Sequence, residues 1–414
     1  MSVRKRTWFT SVQRKKIDPK AREIAIVKGD ADDWRAYIDR AAELLGIEPQ
    51  EKWVVDYSDQ HGRHIETFKL KKDAEAREAQ VTVDVAKGIH TAASKSITVA
   101  QAAEDWLNYI GGEGRERTTV HRYREIVRLH IIPRLGNEKL AKLTTPRINA
   151  FRDDLLKSMS RPMAKKVLVA LKATLKDAKR RGNVAQNVAS DVSITSHGRH
   201  KAKLEIGRDI PTRDEIQRII DAAKPGKGRA LLLTAALTGM RASELRGLRW
   251  ADVDLAKRQI HVRQRADRYR KIGTPKSAAG IRTIPIGDMV VNTLREWKLQ
   301  CPKGMENLVF PTLVGTVEHY PNVVQKYFTP ALLAAGVITK GKPKYGGMHA
   351  LRHFYASWCI NQKKDGGLEL PPKTVQTRLG HTSIVMTLDV YGHLFPSRDD
   401  GKELAAAERA LFAR

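Results

Sequence analysis

Two stretches govern the reading of this chain: Thr238-Gly239-Met240-Arg241-Ala242-Ser243-Glu244-Leu245 and His349-Ala350-Leu351-Arg352-His353. Ahead of the first, Ala230–Leu237 is nearly all apolar, the pattern of a buried helix, and Gly239 is a natural helix stop. Arg241 then leads into a new helix, with Glu244 three positions on and able to hold it. Alone, such a pair is more often a surface ion pair than a site. In the second stretch, spacing of three puts His349 and Arg352 on one helical face, where together they can hold a phosphate and move a proton beside it. His349 and His353, four apart, have a zinc-like spacing. The metalloprotease pattern needs Glu after the first His, and Ala350 stands there, so no metal is expected.

Further along, Leu379-Gly380-His381 is followed, ten residues after the His, by Tyr391-Gly392-His393. A lone Tyr is usually a half-buried core aromatic, and a pKa near ~10 makes it a poor nucleophile unless cations activate it. Thr274-Pro275-Lys276-Ser277 precedes the strand-like run Ile281–Ile286 and places Lys276 at the turn of a hairpin. A Lys there is ordinarily solvated, yet as a mobile donor it can protonate a leaving oxygen.

The 414 residues carry 75 Lys and Arg against 46 Asp and Glu, a net charge of +29 that calls for a polyanion. Nucleic acid is the first candidate, because phosphate neutralisation with counterion release is a large source of affinity. An anionic membrane has no basic amphipathic helix with aromatic anchors to support it. The 41% hydrophobic share excludes wholesale disorder, and no stretch approaches the ~18 apolar residues of a membrane span. The basic start Arg4-Lys5-Arg6 is followed by no apolar segment, so no secretory signal is read there. Cys301 and Cys359 are too few for a disulfide framework, which makes a reducing bacterial cytoplasm, at the nucleoid, the expected location.

Three regions separate. The first reads as a small α+β domain over residues 1–90. Trp53–Tyr57 and His64–Phe68 form a hairpin, Arg4–Phe9 offers a third strand, Ala31–Leu45 is a helix, and Lys71–Ala79 another. After a linker over Val83–Lys95, residues 97–195 read as an all-α domain. Thr98 caps one helix, Thr118 opens a second that stops near Pro133, Thr145-Pro146 starts a third, and Met163–Arg181 ends at Gly182. Its basic faces hold Lys165, Lys166, Lys172, Lys176 and Arg180, either solvated or touching phosphate. A second linker spans Ser196–Lys203. Residues 206–414 read as a mainly α domain with a small sheet, opened by the capping box Thr212–Glu215.

The order Arg241, Lys276, His349, Arg352, His381, Tyr391, in the contexts quoted, resembles the tyrosine recombinase (phage integrase) family, over roughly residues 206–395. Residues 97–190 are similar to that family's SAM-like core-binding domain, and the Trp53–Phe68 hairpin to the arm-binding domain of integrases, with a helix inserted after the first strand. The resemblance implies the tyrosine recombinase catalytic fold and a site-specific integrase of a prophage, genomic island or integrative element. It implies that Arg241 and Arg352 clamp the scissile phosphate and that Tyr391 attacks it to form a 3′-phosphotyrosine. His349 assists as general base, Lys276 protonates the departing 5′-oxygen, His381 donates to the phosphate, and Glu244 orients Arg241. No metal or other cofactor is implied. Double-stranded DNA with core and arm sites, a homotetramer passing through a Holliday junction, a DNA-bending protein and an excisionase are the implied partners. Arg4, Lys5 and Arg6 join the lysines above as expected DNA contacts. The stripe Leu404, Ala407, Leu411, Phe412 implies a tail helix that docks on a neighbouring protomer. An Xer-type, resolvase or inversion recombinase shares this chemistry, and a non-cleaving DNA-binding regulator is the competing class.

Overall fold

The computed structural model describes residues 2–28, 34–59, 62–86, 96–195, 203–340, 344–395 and 400–413. The chain divides into two compact units, Met1–His197 and Gly198–Arg414.

The first unit opens with an antiparallel sheet in the order β1-β2-β3: β1 (Ser2–Trp8), β2 (Gln50–Asp59) and β3 (Gly62–Phe68). Helix α1 (Ser11–Lys28) and α2 (Trp34–Leu44) lie between β1 and β2 and share a small core of Ile17, Ala21, Tyr37, Ile38 and Ala41. The insertion is thus a helical pair rather than the single helix expected. Pro19 and a dense run of charges hide α1 from a periodicity reading, and Ala31–Asp33 lie outside the described residues. Helix α3 (Lys71–Ala86) covers one sheet face through Ala74 and Val81, packed on Val55 and Tyr57. It runs past its expected end, so Val83–Ala86 are helix and not linker; the rest of that linker falls outside the described residues.

Five helices follow: α4 (Val99–Gly112), α5 (Arg117–Ile126), α6 (Ile132–Leu135), α7 (Thr145–Ser158) and α8 (Arg161–Arg180). Thr98 caps α4 in a reciprocal box with Gln101, as its sequence suggests. Pro133 does not stop the α5 helix. A wide π turn over Val127–Ile131 carries the chain into α6, with the Ile132 amide reaching back to the Val127 carbonyl, so the missing proline N–H is absorbed where the ladder is already shifted. The cap of α7 is Thr144, not Thr145, and the first residue of α5 is Arg117, uncapped by any side chain. Trp106, Leu107, Ile148, Phe151, Leu171 and Leu175 form the shared core.

The second unit contains α9 (Arg213–Ala222), α10 (Lys227–Thr238), α11 (Ala242–Gly247), α12 (Asp288–Gln300), α13 (Tyr320–Val323), α14 (Thr329–Ala334), α15 (His349–Ile360), α16 (Pro372–Leu379), α17 (Ile384–Tyr391) and α18 (Asp400–Phe412). Between α11 and α12, β4 (Val253–Asp254), β5 (Gln259–Val262) and β8 (Arg282–Pro285) form one antiparallel sheet, and β6 (Arg265–Ala266) pairs with β7 (Ile272–Gly273). Helix α10 is buried almost all round and forms the centre of a core shared with α9, α12 and α15. It ends at Gly239, whose φ of +61° suits glycine, and a Cβ there would lie 2.4 Å from the Tyr355 ring. That close approach brings the start of α11 against α15, and so Arg241 toward Arg352.

Candidate active site

Arg352 projects from α15 and is 2% exposed. It donates to the Gly239 carbonyl at 2.8 Å and to the Leu379 carbonyl at 2.6 Å. Arg241, at the start of α11, donates to the next carbonyl, Gly380, at 3.2 Å. Two guanidiniums from distant segments therefore converge on one helix end, the Leu379-Gly380 turn that precedes His381. Gly380 takes a φ of +64°, and a Cβ there would lie 2.8 Å from the Ala279 carbonyl. The turn that carries Lys276 is thereby packed against the same helix end; Lys276 itself is exposed.

Two like charges this close need a counter-ion. Glu244 is 2% exposed, receives Arg241 at 2.8 Å, and caps the Arg241 amide at 2.9 Å. Its other partner is Arg282 of β8, which donates to both carboxylate oxygens at 3.2 and 2.8 Å and to the Arg378 carbonyl at 2.8 Å. Burial pushes the Glu244 carboxyl up, but the hydrogen bonds and charge of Arg282, with Arg241, outweigh it and hold the group below its ordinary range. Arg282 was missed in the sequence reading, although alternation places it on the inward face with Ile284.

Tyr391 ends α17 and is 2% exposed, packed with Tyr355, Cys359 and Leu379. Its hydroxyl lies 2.7 Å from Nδ1 of His353. The expected partner was His349. On α15 the two imidazoles sit one turn apart, edge to face with centroids 4.6 Å apart, and His353 is the one that meets α17. His381 lies parallel to the Tyr391 ring at 6.5 Å and shares a 2.9 Å hydrogen bond from Nδ1 with the fully buried Thr387.

The electrostatics follow from burial beside cations. Burial, then the Arg352 and Arg241 charges, lower the His381 pKa to about 4. Burial, then His349 and Arg352, lower His353 to about 4. His349 is exposed, yet the partial burial of its ring and the same two arginines also lower it. Burial raises Tyr391 to about 12 against the pull of Arg352 and Arg241. At neutral pH the pocket thus holds two guanidiniums, neutral imidazoles and a protonated phenol. No cluster of three metal-ligating side chains occurs among the described residues.

Of the expected DNA contacts, Lys165, Lys166 and Lys176 are exposed on α8. Lys172 donates to the Ser190 carbonyl at 2.8 Å, and Arg180 is paired with Asp177 and stacked over Tyr109, so both are engaged within the bundle. In β1 the register puts Arg4 and Arg6 opposite Val54 and Lys52, on the sheet face away from α3, while Lys5 lies opposite Trp53 on the α3 side and pairs with Glu51.

The family model described as phage integrase family matches residues 211–398, and that of the phage integrase N-terminal SAM-like domain matches residues 98–156. The chain belongs to the phage integrase family. As a tyrosine recombinase it is 27% identical over 356 residues to a XerC-like tyrosine recombinase of Caldanaerobacter subterraneus, covering 80% of this chain and 88% of that one. An integrase of Streptomyces ambofaciens is 27% identical, covering 84% of this chain and 87% of its own. In fold, this integrase-family chain is similar to a transposon Tn1549 integrase solved with a circular intermediate DNA, at TM-score 0.57 and 20% identity over 76% of this chain and all of that one. It is also similar to a lambda integrase dimer bound to a core site, at TM-score 0.54 and 19% identity over 84% of this chain and 93% of that chain.

Proposed function

We propose that this tyrosine recombinase is the integrase of a mobile element and cuts and rejoins double-stranded DNA through a 3′-phosphotyrosine. The observation that carries the proposal is the convergence of Arg241 and Arg352 on the Leu379-Gly380 turn, beside the buried phenol of Tyr391. A guanidinium fork matches the two non-bridging oxygens of a phosphodiester, where charge grows as phosphorus is attacked. Tyr391 forms the O–P bond, Lys276 gives a proton to the departing 5′-oxygen, and His349 and His381 donate to the phosphate. Glu244 keeps Arg241 aimed. The bond energy is held in the tyrosyl ester, so rejoining needs no nucleotide.

The sheet face away from α3 carries Arg4, Arg6, Lys52 and Arg63, with Asp56 paired to Arg4 and Arg63. That face supports a second DNA contact, at arm-type sites, and favours an element integrase over a chromosome-dimer resolvase. The exposed lysines of α8 are suited to contact with backbone phosphate.

The test is covalent capture. A duplex spanning the junction between element and host, nicked beside the cleavage position, should trap the wild-type chain as a denaturant-stable adduct. Tyr391→Phe should form no adduct and still shift the duplex in a gel, since only the nucleophilic oxygen is lost. An adduct formed by the Phe variant would show that another residue attacks.

A further inference from the structure

Resting on that reading of Tyr391 as the nucleophile, we propose that His353 is a catalytic residue: the immediate acceptor of the Tyr391 proton. The phenol has one proton and His353 Nδ1 is 2.7 Å from its oxygen, within range for direct transfer. Nδ1 accepts only if the ring proton sits on Nε2. Burial, His349 and Arg352 lower the basicity of His353, and the charge of Asp209, in the turn ahead of α9, opposes them weakly. The Asp209 carboxylate is fixed by the Glu205 amide at 3.0 Å and by Arg208 at 3.0 Å. A hydroxyl bonded to an imidazole is the general arrangement for activating a weak nucleophile.

The groups around His353 also explain why the resting site stays quiet. His349 and Arg352 on its own helix depress its basicity, Asp209 opposes them, and Arg241 with Arg352 bear on Tyr391 across the contact. An anionic phosphodiester seated on the two arginines cancels most of their field. His353 then becomes a better base at the moment its proton acceptance is needed. In the forward step the Tyr391 O–H bond breaks and its proton moves to His353 Nδ1. The Tyr391 Oη–P bond forms, the P–O5′ bond breaks, and the 5′-oxygen takes its proton from Lys276. Rejoining runs each transfer backwards, and the imidazolium returns the proton to the phenolate.

His353→Asn is the discriminating variant, because an amide oxygen can take the place of Nδ1 without basicity. The junction duplex nicked beside the cleavage position serves as probe, with wild type and Tyr391→Phe alongside. His353→Asn should shift the duplex as wild type does and trap on the order of 10²-fold more slowly at pH 7. Its rate should climb steadily with pH as hydroxide replaces the base, where wild type is nearly flat. His353→Gly should regain rate with added imidazole. Wild-type rates in His353→Asn at every pH, or faster trapping, would overturn the proposal, the second by showing that the contact restrains the phenol. Failure of wild type itself to trap would instead sink the underlying reading, and this inference with it.

Discussion

At the residue scale the pocket is held by one carboxylate. Glu244 serves Arg241 and Arg282 together, and both Glu244 and Arg282 are almost fully enclosed. Arg282→Met leaves Glu244 with only the half-exposed Arg241, and removing one member of a buried pair costs about 3–5 kcal/mol; the urea midpoint should fall accordingly. Arg241→Lys should keep the charge and lose most cleavage, because one ammonium cannot reproduce a two-pronged contact, and trapping kinetics on the nicked duplex will show it. Lys276→Ala should slow cleavage and be rescued by a 5′-phosphorothiolate, whose leaving sulfur needs no proton; no rescue would remove Lys276 from the acid role. His353 and His381 have folded pKa values near 4, below an unfolded value of ~6.5. The unfolded chain therefore binds more protons across that window, and stability should fall as pH drops from about 6.5 toward 4. Urea titrations at pH 7 and pH 5 test the sign. The contact of Arg241 with Glu244 was legible because a spacing of three is local to one helix turn. Arg282 was not, because its significance lies in which neighbours it meets, and Glu244 and the Arg378 carbonyl come from other segments.

At the element scale, the helix ends do most of the positioning. Gly239 and Gly380 both close helices in the left-handed region, and each lets another segment approach where a side chain would collide. Gly239→Ala adds about 1–2 kcal/mol of backbone strain and then an overlap with Tyr355. Lower stability and weaker trapping should appear together, read by urea midpoint and adduct yield. Elements with strong periodicity and good caps, such as α4 and α9, were readable, and α10 was readable from its nearly unbroken apolar run closed by Gly239. Helix α1 was not, since its few buried residues, Ile17 and Ala21, barely outline a stripe and Pro19 interrupts it. The π turn that carries the chain past Pro133 has no sequence signature at all; it is a local answer to packing on α4 and α8.

At the scale of the whole molecule, the charge of +29 fits a chain whose business is with phosphate. The last helix, α18, presents Leu404 at 60%, Leu411 at 76% and Phe412 at 78% exposure. An apolar stripe left open in this way suits contact with a second copy on DNA. Deleting residues 397–414 should spare binding to a half-site and weaken the higher-order complex in a gel shift; an unchanged tetramer band would count against the tail as the link. The sequence divides into three regions where the structure divides into two compact units, Met1–His197 and Gly198–Arg414, and the partners of each surface are not legible because exposure alone names no partner.

The enclosure of Tyr391 has a practical corollary. Tetranitromethane attacks accessible phenolates, so treatment of the free chain should nitrate half-open rings such as Tyr123 and Tyr327 long before it reaches a ring that is 2% exposed and kept protonated. On the proposed function, the free chain thus keeps the oxygen of Tyr391 sheathed from stray electrophiles.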